Sequence, residues 1–169
     1  MAMWLHDFCK WLSETPVSQT IQNVQWIIPT VQSIHILSVA IVFSSALVVD
    51  LRLLRVVGKD QPVSLYANRF LHWIWPTLVV LLLTGSILIT AEPGRSLQNV
   101  AFQAKMVMLI LAIALTLTVQ RPMATDATYW ETGDGRRTTA KVIAIASLIL
   151  WVCIIFAGRW IAYMNTAGD

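Results

Sequence analysis

PTVQSIHILSVAIVFSSALVV, residues 29–49, decides how this chain folds. No Asp, Glu, Lys or Arg interrupts it, and at the helical rise it covers roughly 31 Å, about one hydrocarbon thickness. Only a helix or a closed barrel satisfies its backbone in lipid, and a single continuous apolar run is a helix. Three further runs have comparable length: residues 71–90, 101–120 and 139–163. Asp50, Arg52 and Arg55 close the first span, and Pro76 is expected to bend the second. Glu92-Pro93-Gly94-Arg95 makes a turn, and Arg121-Pro122 stops the third span. Residues 122–138 form the one sizeable polar loop.

The composition agrees. Of 169 residues, 57% are hydrophobic and 12% charged, with a mean hydropathy of +0.67. A soluble domain carries about a quarter charged residues. The polar segments are too small to fold alone, so any chemistry sits among the helices or at a membrane surface. The formal net charge of +3 follows from membrane topology, and no basic stripe on a soluble element suggests a nucleic-acid partner. Cys9 and Cys153 lack CxxC spacing or a neighbouring His, which argues against a zinc site or redox pair. No nucleophile–base set, phosphate loop or pair of catalytic carboxylates is found, so the chain reads as a subunit more readily than as an enzyme on its own.

Ahead of the first span, residues 1–28 read as amphipathic interfacial helices. Trp4, Leu5, Phe8, Trp11 and Leu12 share one helical face, opposite His6, Asp7, Lys10 and Ser13. This start lacks the basic region and cleavage site of a signal peptide. Thr15-Pro16 has the form of an N-cap followed by a proline at the first helical position, and Val17, Ile21, Val24 and Ile28 extend the apolar face. The expected architecture is all-α: a transmembrane four-helix bundle over residues 29–169 with interfacial N-terminal helices.

Basic residues set the orientation. Arg52, Arg55, Lys59 and Arg69 flank the first loop, and Arg121, Arg136, Arg137 and Lys141 the third, eight of the twelve Lys and Arg. The positive-inside rule places these loops in the cytoplasm and both termini outside. Trp26, Trp160 and Tyr163 would then form the outer aromatic belt, with Tyr66 and Trp73 on the inner side.

Ionisable groups within spans are costly and mark functional sites by default. His35 lies about 9 Å into the membrane from the outer face, with Gln32 and Ser38 on the same side of its helix. It can tie helices together through a hydrogen bond, or ligate a metal or haem. His72 stands roughly 18 Å away in depth, so one haem iron cannot bind both, and it reads as interfacial. Met106 and Met108 share the depth of His35, and imidazole with thioether suits Cu(I) or a His/Met haem. Lys105 and Arg159 each lie about 6 Å inside the outer end of their spans. They can snorkel to phosphates, pair with Glu92, or hold an anionic headgroup or haem propionate. Asp50 and Arg52 suggest an ion pair or a lipid-facing rim at the inner end. Cys153, in mid-span, reads as packing.

The runs Glu14-Thr15-Pro16, Ile34-His35-Ile36-Leu37, Val49-Asp50-Leu51-Arg52-Leu53-Leu54, Asn99-Val100-Ala101-Phe102-Gln103-Ala104-Lys105 and Ala157-Gly158-Arg159-Trp160-Ile161-Ala162-Tyr163 resemble an uncharacterised bacterial membrane family, a domain of unknown function distantly similar to the CopD-type copper-resistance membrane domain. The resemblance spans nearly the whole chain. It implies a small helical bundle in the bacterial inner membrane, with His35, Lys105 and Arg159 as the outer-side polar residues. The expected function is a non-enzymatic membrane subunit handling copper or another cofactor through His35, with Gln32, Lys105 and Arg159 around it and Met106 or Met108 assisting. The alternatives are a b-type haem or quinone-linked electron-transfer subunit, and a structural accessory subunit without cofactor. Expected partners are the lipid bilayer and other membrane or periplasmic subunits.

Overall fold

The computed structural model describes residues 2–58 and 60–164. Among them every regular element is helical: α1 (Ala2–Ser13), α2 (Pro16–Asn23), α3 (Ile27–Leu53), α4 (Val63–Ala91), α5 (Pro93–Leu97), α6 (Val100–Thr125) and α7 (Asp134–Met164). The four long helices α3, α4, α6 and α7 are each long and apolar enough to cross a membrane. The protein is a multi-pass all-α membrane bundle. Lys59 of the first loop lies outside the described residues, and so do the side chains of Leu5 and Tyr163.

Each long helix outruns its apolar stretch, because polar residues at a membrane surface continue a helix without desolvation cost. α4 starts at Val63, eight residues before the apolar run, and Pro76 sits inside it. Pro122 lies inside α6 and does not end it. Pro29 falls in the first turn of α3, where a missing N–H costs nothing. α2 opens as its sequence implies: the Thr15 hydroxyl accepts the Ser18 N–H, with Pro16 at the first helical position. It ends at Asn23, because Val24 turns extended, and the apolar face does not run on to Ile28 in one helix.

Antiparallel α3 and α4 pair extensively, α7 packs on α3, and α6 packs on α7. Val42, Ala46 and Val49 of α3, Ile74 of α4, Ala112 of α6, and Ala144 and Trp151 of α7 form the buried centre. Small residues let the backbones approach, as helix packing in lipid requires. α1, α2 and α5 gather at one end. The Ser18 hydroxyl donates to the Thr90 carbonyl at 2.7 Å, Gln22 Nε2 donates to Ala91 O at 2.6 Å, and the Cys9 thiol meets the Pro93 carbonyl. Cys9 turns inward, while Trp4, Phe8 and Trp11 form an aromatic ladder turned away from the bundle. That face is suited to the interface of a bilayer.

The opposite end is locked by polar contacts. Arg52, with a side chain only 5% exposed, donates to the Gln61 carbonyl and pairs with Glu131 at 3.2 Å. The same Glu131 oxygen accepts the Val63 N–H at 2.8 Å, capping α4. The partner of Arg52 is therefore Glu131, 79 residues on, and not Asp50, and neither Asp50 nor Arg52 forms a lipid-facing rim: both are buried. Asp50 and Ser147 of α7 line the same small pocket, and Asp50 Oδ2 has no partner. Trp130 closes this end by donating to Val119 O at 3.0 Å.

Candidate functional site

A cavity of about 520 Å³ lies toward the α1–α2 end of the bundle, within the range of cofactor and small-molecule sites. All four long helices line it. Its walls are apolar, from residues such as Ile36, Leu88, Phe102 and Ile154. Its polar atoms come from His35, Gln32, Lys105 and Arg159, joined by Glu92 and Arg95. Four residues chosen from three separate helices of the sequence thus converge on one space.

His35 anchors the site. Its Nδ1 stands 2.8 Å from Thr84 Oγ1 of α4. The Thr84 hydroxyl is itself 2.7 Å from the Val80 carbonyl, so its single hydrogen points there. The Thr84 oxygen must then accept, and the network assigns the imidazole hydrogen to Nδ1. Nε2 keeps its lone pair, and it is the nitrogen left to bind in the cavity. Gly85, next along α4, lies beside the ring: a Cβ there would meet His35 Cε1 at 3.6 Å, an ordinary packing distance.

Lys105 enters from α6 and crosses to α7. Its Nζ stands 3.5 Å from where a Cβ on Gly158 would lie. Arg159 follows directly, so cationic groups from two helices reach the same cavity. Glu92 pairs with Arg95 at 3.0 Å, within its own turn. Lys105 lines the cavity between the helices.

The thioethers fall elsewhere. Met106 is 38% exposed, and Met108 packs against the apolar core. Neither lines the cavity. His72 is exposed on α4 and likewise outside it. Cys153 is exposed on the outer surface of α7. Among the described residues no group of three or more His, Cys, Asp and Glu is placed to hold a metal ion. Sequence reasoning missed Thr84 as the partner of His35. Thr84-Gly85-Ser86 reads as small packing residues, and only its pairing with His35 shows otherwise.

Four helices long and apolar enough to cross a membrane, lining one amphipathic cavity with a half-buried imidazole and a cationic rim, define a multi-pass helical membrane protein. Residues 14–164 match a family of unknown function, DUF6644, and the chain belongs to that family. No curated protein and no solved structure matches it.

Proposed function

We propose that the protein is a non-enzymatic subunit of a bacterial inner-membrane complex, and that its cavity holds a b-type haem. The observation that carries this reading is the hydrogen bond that holds Nδ1 of His35 on Thr84 and leaves Nε2 for a ligand inside a cavity of cofactor size. A haem needs an axial nitrogen, apolar walls for the macrocycle and cations for two propionates. His35, the isoleucine-rich walls, and Lys105 with Arg159 would supply these three. Bound, the haem would supply one-electron transfer. Thr84 would orient the His35 imidazole, the apolar walls would exclude water, and Lys105 with Arg159 would balance the propionate charge.

Two other readings fit less well. A copper site through His35, as the CopD-type resemblance suggests, would draw on one cavity imidazole, with Met106 and Met108 directed elsewhere. A quinone carries no ionised group and would use Lys105 and Arg159 only as hydrogen-bond donors to its carbonyls, not as counter-ions. Orientation follows from the basic residues: the loops joining α3 to α4 and α6 to α7 face the cytoplasm, and both termini and the cavity end face outward.

The test is the absorbance spectrum of detergent-purified protein expressed with haem precursor, followed by haemin titration of the apo form. A Soret band that His35→Ala abolishes supports the reading. Copper found by elemental analysis in place of haem would move the assignment to the metal. Absence of both, with failure to bind haemin, leaves a structural accessory subunit.

A further inference from the structure

At the other end of the bundle lies a second, smaller pocket, of about 50 Å³, that the haem reading does not use. It sits where α3 ends and α4 and α7 begin. Four cationic side chains line it, Arg52, Arg55, Arg137 and Lys141, against the single carboxylate of Glu131. Arg52 and Glu131 neutralise each other at 3.2 Å. The pocket is thus left with an excess of positive charge from Arg55, Arg137 and Lys141.

Two observations show that this charge is built in. Arg137 is held by its Nε, which donates to the Glu131 carbonyl at 2.8 Å, and its nearest carboxylate, on Asp134, is fully exposed at 3.7 Å. Arg55 has a φ of 61°, just past the end of α3. Its N–H bonds to Arg52 O, and the next N–H, of Val56, reaches Leu51 O. This is the helix-ending position that glycine fills at least cost. An arginine held there places a guanidinium at the pocket mouth. The wall beside it is apolar, from Leu53, Val63 and the buried Trp130.

We infer that Arg55, Arg137 and Lys141 form a binding pocket for a phosphate group at this end of the bundle. Guanidinium forks match phosphate oxygens in pairs, and lysine adds a point charge. The pocket lies at headgroup level between membrane-crossing helices, where basic pockets take anionic lipid headgroups. A phosphodiester of an anionic lipid and a free phosphate share this chemistry.

The full chain in neutral detergent is unfolded thermally with added dioleoylphosphatidylglycerol, dioleoylphosphatidylcholine or sodium phosphate, at matched ionic strength. The comparison is wild type against the double variant Arg55→Gly/Lys141→Gln. Glycine suits the φ of residue 55 and Lys141 is exposed, so the variant keeps its basal midpoint or gains. Phosphatidylglycerol is expected to raise the wild-type midpoint while phosphatidylcholine does not. The variant should need on the order of 30-fold more lipid for the same rise. An equal rise from sodium phosphate, lost in the variant, sustains the pocket and identifies free phosphate as the source. Identical responses of wild type and variant, or no response to either phosphate source, overturn the inference.

Discussion

His35 Nδ1 and Thr84 Oγ1 meet at 2.8 Å across the α3–α4 pair, 49 residues apart in the chain. Because Thr84 spends its hydrogen on the Val80 carbonyl, this one contact fixes the imidazole hydrogen and the ring's direction together.

Thr84→Val removes the acceptor and keeps the volume. The ring loses its orienting partner, and haemin affinity should fall about 10- to 100-fold, the usual effect of losing the hydrogen-bond partner of a metal-ligating histidine. Thr84→Ser should restore most of it. Titration followed at the Soret band measures both. Affinity unchanged in Thr84→Val would show that the contact does not orient the ligand.

Glu131→Ala should destabilise the protein by about 3 kcal/mol, because it strands the buried Arg52 and uncaps the Val63 N–H. Glu131→Gln keeps an oxygen for both donors and should cost clearly less. The midpoints of thermal unfolding in detergent, followed by circular dichroism, report the difference. Equal losses would place the stabilisation in charge alone.

Asp50 is 4% exposed, and its Oδ2 has no partner. A buried charged group with an unsatisfied oxygen is a stability cost. Asp50→Asn removes the buried charge and should raise stability by about 1–2 kcal/mol. A large loss in the same unfolding measurement would mean that the carboxylate makes a stabilising interaction that only its charge can provide.

Gly58 has a φ of 61°, and the Tyr66 ring occupies the place a Cβ would take. Gly58→Ala should therefore cost about 1–3 kcal/mol. Gly135, in the first turn of α7, has nothing within 4 Å. Gly135→Ala should be neutral or gain up to about 1 kcal/mol from helix propensity. Matched unfolding curves check the pair, and similar losses at the two glycines would contradict the account.

The spans and the N-cap at Thr15 were legible in the residues themselves, and His35, Gln32, Lys105 and Arg159, singled out by depth, line one cavity. Depth in a membrane is a linear count, so groups at one level can be matched before any helix is placed. The reach of each helix was less legible. α4 continues eight residues below its apolar run because its backbone bonds need no hydrocarbon, and hydropathy does not register that extension.

What the chain alone determined is its solvent. An uninterrupted apolar run of membrane length has one low-energy environment whatever surrounds it. Rotation was decided by the tertiary structure. Lys105 and Met106 are neighbours at almost one depth, yet about 100° of helix separates them: the first lines the cavity and the second is turned away from it. Arg52 found Glu131, and His35 found Thr84, only once helices far apart in sequence had packed. Such pairings depend on which faces meet, and a face is chosen by the fit of whole helices against one another.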